Sequence, residues 1–202
     1  MSEQNASGVK LAVIYYSSTG TNYQTANAVV EAAKSLGAEV RLRKVAELAP
    51  EAAVAQNEQW KKHLDETSDI EVASNHDLEW ADAIIFGSPT RYGNVAAQMK
   101  QFLDGTGPLW AQGKLADKAV AGFTSAQNLH GGQESTLLAL YNTMYHWGSI
   151  IVPLGYTDPA NFQSGGNPYG ISLKAGEAID ENKKSIIKTL TQRVLRVAAS
   201  LK

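Results

Sequence analysis

Lys10 to Tyr16, KLAVIYY, is a nearly unbroken apolar run with branched and aromatic residues, the pattern of a strand covered on both faces. From Thr21 the period changes. Ala26, Val29, Val30, Ala33 and Leu36 recur at helical spacing, and Gly37 follows where a C-terminal cap belongs. The strand, loop and helix then repeat. AEVRLRKV from Ala38 alternates like an outer strand, DAIIFGSP from Asp82 is a short buried strand followed by a helix through Phe102, and KAVAGFTSA from Lys118 is a fourth strand. A helix from about Glu134 to His146 leads into SIIVPLGY, a fifth strand. ENKKSIIKTLTQRVLRVAASL closes the chain as an amphipathic helix with Ile186, Leu190, Val194 and Val197 on one face.

Strands that alternate with helices imply right-handed crossovers and a parallel sheet with helices on both faces. The expected fold is an α/β three-layer sandwich with a five-stranded parallel sheet of order 2-1-3-4-5. Residues 1–8 are expected to be a flexible N-terminus, and residues 9–202 a single domain with a polar insertion at about 49–76. A helix is expected inside the insertion, around Glu58 to Leu64. Gly105 to Asp117 and Tyr156 to Ala178 read as long loops, and connections of that length are usually functional or interfacial.

Composition narrows the chemistry. A content of 44% hydrophobic and 19% charged residues is that of an ordinary globular chain. Eighteen Lys and Arg against 20 Asp and Glu leave a net charge of −2, so no strong field recruits nucleic acid or an anionic membrane. The absence of cysteine excludes disulfides, thiolate metal sites, iron–sulfur clusters and a cysteine nucleophile, so redox chemistry requires a cofactor. The polar start MSEQNASG has no signal-peptide pattern, and no apolar run nears bilayer length, which points to a cytoplasmic protein without membrane insertion. The histidines lack the paired spacing of a metal site, and no metal is expected. His63 and His76 fall in the polar insertion and are expected to be solvated.

In an open parallel sheet, ligands bind beyond the carboxyl ends of the strands, where the strand order reverses. Those positions hold SSTGTN (Ser17 to Asn22), SPTRYGN (Ser88 to Asn94) and TSAQNLHGGQE (Thr124 to Glu134), three loops fit to wall one ligand. The first lies between a buried strand and a helix N-terminus, where free N–H groups and the helix dipole favour an anion. The same residues also serve as an ordinary helix cap. GxxxxGK[ST] and GxGxxG are both absent, so a mononucleotide phosphate fits better than a P-loop nucleotide or a pyrophosphate. In the second loop Pro89 precedes Thr90, Arg91, Tyr92 and Gly93, where backbone can approach a flat ring and Tyr92 can stack beside it. Gly131 and Gly132 allow a close backbone approach in the third. Trp60 is a candidate for a buried subunit contact or a plug on the insertion's own helix.

YYSSTGTN, IIFGSPTRYGNVAAQMKQFLDGTGPLW, GGQES, HWGSIIVPLGY and GGNPYG together resemble the flavodoxin-like NAD(P)H:quinone oxidoreductases of type IV, the tryptophan-repressor-binding or WrbA family. The resemblance runs from about Val9 to the C-terminal helix. It implies a flavodoxin-like sandwich that binds FMN, with Ser17, Ser18, Thr19, Gly20, Thr21 and Asn22 around the phosphate. Pro89, Thr90, Arg91, Tyr92, Gly93 and Asn94 would run along the ring. Ser125, Ala126, Gln127, Asn128, Leu129 and His130 would form the opposite wall. It further implies His146 beside the flavin, where an imidazole stabilises the reduced ring. Trp110 would lie on the substrate side and stack the quinone with Tyr92.

Two departures stand out. Thr19 occupies the position where the family often carries an aromatic that touches the nicotinamide cofactor, and SAQNLH replaces a glycine-rich run and is one residue longer. The implied activity is ping-pong, two-electron reduction of quinones by NADH or NADPH, in a homotetramer whose sites neighbouring subunits complete. Two rivals remain. A flavodoxin-type one-electron carrier is typically strongly acidic, which a charge of −2 does not match. A regulatory protein acting on a transcription repressor needs a basic patch or peptide groove that the residues do not clearly offer.

Overall fold

The computed structural model describes residues 8–202. The flexible N-terminus expected over residues 1–8 lies, apart from Gly8, outside the described residues. Strands β1 (Lys10–Tyr15), β2 (Glu39–Lys44), β3 (Ala83–Pro89) and β4 (Ala119–Ala126) form where the apolar runs place them. They pair in parallel in the order β2-β1-β3-β4, with the fifth position beyond β4.

The apolar runs are continuous because successive residues of the central strands feed two different cores. Leu11, Val13, Tyr15 and Ile85 pack toward helices α1 (Thr21–Ser35) and α9 (Glu181–Ser200), through Ala26, Val29, Ile186 and Leu190. Ala12, Ile14, Ile84 and Phe86 pack on the other side against α5 (Ala97–Asp104) and α7 (Gln133–Trp147), through Met99, Leu137, Leu140 and Met144. Edge strand β2 has no fully buried residue, which fits its alternating sequence.

The fifth strand differs from expectation. Only Ile150–Ile151 of SIIVPLGY is paired as β5, and it lies beside Ala119 and Val120 at the start of β4. The second half of β4, Phe123 to Ala126, pairs instead with β6 (Ile171–Lys174), a strand within the stretch read as loop. The chain leaves the sheet between them, and Pro153, which lacks a ladder N–H, suits that departure. The excursion contains α8 (Ala160–Gln163) and is tied to α9. The Asp158 carboxylate accepts hydrogen bonds from the Ser185 and Thr189 hydroxyls at 2.8 and 2.6 Å. The buried Lys183 ammonium donates to the Ser164 and Ser172 carbonyls. A short helix, α6 (Gly107–Ala111), likewise replaces part of the loop read between Gly105 and Asp117.

The insertion folds as α2 (Glu51–Ala55), α3 (Glu58–Glu66) and α4 (Asn75–Trp80), of which α3 matches the expected helix. A capping box between Ser74 and Asp77 starts α4. Asp77 also receives Arg41 and Arg43 of β2 at 3.3 and 3.0 Å, so the insertion is fastened to the sheet edge. His63 corrects an expectation: it is 8% exposed, with its ring 5.4 Å from that of Tyr23. Among the described residues no helix is long and apolar enough to cross a membrane, and no cluster of three or more His, Asp or Glu is disposed to hold a metal.

The split strand makes a direct prediction. A Cβ at Gly170, just before β6, would stand 2.3 Å from the Gly122 carbonyl oxygen, a backbone atom that cannot swing aside. Gly170→Ala is therefore expected to lower stability by about 1–3 kcal/mol. The reading is a lower urea midpoint with an unchanged slope; an unmoved midpoint would show that β6 is not seated this closely on β4.

Candidate functional site

Beyond the carboxyl ends of β1, β3 and β4 lies a cavity of about 450 Å³, within the range of small-molecule sites. All three loops singled out in the sequence line it. The first contributes Ser17, Ser18, Thr19, Thr21 and Asn22; the second Pro89, Thr90 and Arg91; the third Ser125 to Asn128 and Gly131. Arg91 is the one charged side chain in the lining, and no lysine is present.

The first loop has the makings of an anion site. Gly20 adopts φ 98°, and its N–H donates to the Ser17 hydroxyl at 3.0 Å, which curls the loop tightly. Helix α1 then begins with no side-chain cap and no acidic residue in its first turn. Its first helical bond runs from the Gln24 N–H to the Gly20 carbonyl, so the amides ahead of Gln24 have no partner within the helix. Asn22 is 1% exposed; its Nδ2 donates to the Tyr16 carbonyl, whereas its Oδ1 is buried without a partner. Uncapped amides, four hydroxyls and an orphaned acceptor fit a phosphate joined to a hydroxyl-bearing chain. The plain-cap alternative is weakened, since no side chain caps this helix.

The second and third loops brace each other. The Thr90 N–H donates to the Ser125 carbonyl at 2.9 Å, and the Thr90 and Thr136 hydroxyls lie 2.6 Å apart. A Cβ on Gly132 would fall 2.9 Å from Gly93 Cα, the close approach expected of the glycine pair. Tyr92 (φ 53°) and Gly93 (φ 76°) turn the chain sharply, and the Arg91 N–H closes the turn on the Asn94 carbonyl at 2.7 Å. This turn throws the Tyr92 ring fully into solvent, so Tyr92, Gly93 and Asn94 do not line the cavity. Leu129 and His130 are exposed and also lie outside the lining, whereas Gln127 and Asn128 are within it.

Trp110 and His146 are not brought to the cavity of their own chain. The start of α7 is near the cavity, where Gln133 Nε2 donates to the Asn128 carbonyl at 2.8 Å. His146 stands thirteen residues on, roughly 20 Å along the helix axis at 1.5 Å per residue. It is exposed, and its carbonyl accepts the Trp110 indole N–H at 2.9 Å. The two residues thus meet each other at the opposite end of the sheet.

Sequence reasoning missed three parts of the wall: Asn57 and Trp60 from the insertion and Ala175 after β6. The signal available was a lone tryptophan in a polar stretch; its neighbours in space follow only from the fold. The Trp60 indole donates to Glu47 Oε2 at 3.0 Å. The same carboxylate accepts from the Tyr16 hydroxyl at 2.9 Å, Gln98 Nε2 at 2.7 Å and the Ala49 N–H at 2.9 Å. Burial and the Glu47 hydrogen bond push the Tyr16 phenol well above its usual range, so it stays protonated and donating. His63 backs the first loop from the other side, its Nδ1 3.8 Å from where a Gly20 Cβ would be. Burial lowers its pKa and favours the neutral imidazole.

Sheet order and cavity together define a flavodoxin-like α/β protein with a cavity at the carboxyl edge of its sheet. The chain belongs to the NADPH-dependent FMN reductase family, whose model matches residues 9–158. It is 48% identical over 194 residues to an NAD(P)H dehydrogenase (quinone) of Deinococcus radiodurans, a match covering 96% of this chain and 97% of the relative. A protein of the same description from Chromohalobacter salexigens is 39% identical over 201 residues, covering 95% and 98%. The structure of a flavodoxin, WrbA-like protein from Agrobacterium tumefaciens matches in fold with a TM-score of 0.68 at 24% identity, over 96% of this chain and 100% of that one. These likenesses bear out the resemblance carried by the quoted motifs.

The Glu47 node has a consequence for acid stability. Burial pushes its carboxyl up, but hydrogen bonds from Ala49, Gln98, Tyr16 and Trp60 outweigh burial and hold the pKa below the usual carboxylate value. A depressed folded pKa contributes stability that is fully present above the unfolded value of about 4.3 and is lost as pH falls through the folded value. The urea midpoint of the native protein is therefore expected to fall more between about pH 6 and about pH 3 than that of Glu47→Gln. Identical pH profiles would show that the node stores no such stability.

Proposed function

We propose that this chain is an NAD(P)H:quinone oxidoreductase that holds FMN in the cavity and reduces quinones to hydroquinones by two electrons, with NADH or NADPH as donor. The observation that carries the reading is the uncapped, acid-free N-terminus of α1 behind a hydroxyl loop, opening into a cavity walled by the loops after β3 and β4. FMN, when bound, would supply the two-electron redox chemistry between the nicotinamide donor and the quinone.

The chain's own residues bind, orient and shelter. Amides of the first turn of α1, with Ser17, Ser18, Thr19 and Thr21, hold the phosphate, and the helix dipole supplies charge complementarity without a lysine. Thr90, fixed by Ser125 and Thr136, presents a rigid backbone edge for the ring, with Arg91 beside it and Ser125 to Asn128 opposite. No side-chain nucleophile is required, in keeping with the absence of cysteine.

Trp110 and His146 serve the site in trans within a homotetramer, where a neighbour's indole stacks the quinone and its imidazole steadies the reduced ring. Their separation from the cavity of their own chain, their exposure and their mutual hydrogen bond support that assignment.

The test is direct. Purified protein titrated with FMN should show a perturbed visible spectrum, and the loaded protein should consume NADH or NADPH in the presence of benzoquinone. Absence of flavin uptake overturns the reading; flavin uptake with electrons accepted only from a protein donor makes the chain a carrier instead. Sedimentation over a range of concentrations should show a tetramer. Trp110→Ala should raise the benzoquinone KM about three- to tenfold while FMN stays bound, the scale of one lost aromatic contact. A monomer at every concentration removes the trans assignment.

A further inference from the structure

The cavity lining contains a single aromatic side chain, and it comes from the insertion rather than from the three loops. Trp60 lies in the first turn of α3, where its backbone N–H is capped by Asn57 Oδ1 at 3.1 Å. Its indole N–H is held at 3.0 Å by Glu47, which is itself fixed by Tyr16, Gln98 and the Ala49 amide. The residue is thus pinned at backbone and ring tip, from segments as distant in sequence as Tyr16, just past β1, and α5. Its indole is only half-buried and forms part of the wall of an open cavity. Thr19, which lines the same cavity, offers only a hydroxyl and a methyl, and the exposed Tyr92 ring is not part of the lining. All other lining residues are small, polar or aliphatic apart from Arg91.

We propose that Trp60 is a binding residue against which a flat heterocyclic ring lies in this cavity, with Glu47 as the positioning residue that sets the orientation of the indole. The inference rests on the flavin reading above. An electron-rich indole gains from contact with an electron-poor ring beyond the area it buries. Because the ring is anchored before the ligand arrives, little freedom is lost on binding. Two flat rings meet at such a site, the electron-poor oxidised flavin and the dihydronicotinamide of the donor, which gains from the indole face by buried area alone, and binding measurements separate them.

Flavin-fluorescence titrations of native protein, Trp60→Ala and Trp60→Phe with FMN and with riboflavin form one arm. Rapid mixing of the FMN-loaded proteins with NADH, to obtain the dissociation constant for the donor, forms the other. If the contact is to the flavin, Trp60→Ala weakens FMN and riboflavin by the same factor, about three- to tenfold, while Trp60→Phe stays within about twofold. If the contact is to the nicotinamide, flavin affinity is unchanged. The NADH dissociation constant then rises by a similar factor at an unchanged limiting rate of reduction.

Native values in both arms overturn the proposal. Weakened FMN with unchanged riboflavin also overturns it, because Trp60 would then be propping the phosphate loop. Should Trp60→Ala lose its cooperative melting transition, Trp60→Leu keeps apolar volume without an aromatic face and takes its place. Failure of the native protein to bind any flavin removes the functional reading itself, whereas native binding with unaltered variants removes only the role of Trp60.

Discussion

Burial of the central strands on both faces is the constraint from which the rest follows. Tyr15, Phe86 and Phe123 are each almost wholly buried, so the faces of β1, β3 and β4 have no room for polar chemistry. Only the strand ends are free, and parallel pairing brings the carboxyl ends of these three strands to one edge. Three polar loops far apart in sequence therefore converge on one cavity. The chain places the uncapped positive end of a helix there instead of a lysine, a local source of positive potential in a protein of slight net negative charge.

The insertion completes this site through one carboxylate. Glu47 gathers donors from the end of β1, from α5 and from α3, so three segments separated by tens of residues are held in one geometry. A buried or half-buried carboxylate is tolerated only with such company, and four hydrogen bonds overcompensate its desolvation. The same economy recurs at Asp77, which joins the cap of α4 to two arginines of β2, and at Asp158, which fastens the excursion from the fifth strand to α9. The insertion and the excursion are thus each tied down by shared acids.

The fold was legible where periodicity was strong. β1 to β4, α1, α7 and α9 stand close to their expected limits because a strand buried on both faces and a one-sided helix leave unmistakable patterns. The fifth strand was not, because its two short halves pair with opposite ends of β4 and neither is long enough to show a period. Of the cavity lining, Ser17, Ser18, Thr19, Thr21, Asn22, Thr90 and Ser125 to Asn128 could be named from loop chemistry after apolar runs. Tyr92 falls outside the lining because its direction depends on a tight turn with two positive φ angles, and His63 was misread because a polar neighbourhood in sequence does not fix exposure in space.

The sequence alone determined the alternation of strands and helices, the loops that line the cavity, the lack of any cysteine thiol chemistry and the kinship with the family. These are local patterns, and each depends on residues within a few positions of one another. Only the tertiary structure decided that Trp60 and Ala175 belong to the cavity, that Tyr92 does not, and that Trp110 and His146 meet at the far end of α7. Those facts depend on packing between distant segments, where a side chain's direction is set by the surfaces it meets rather than by its neighbours along the chain.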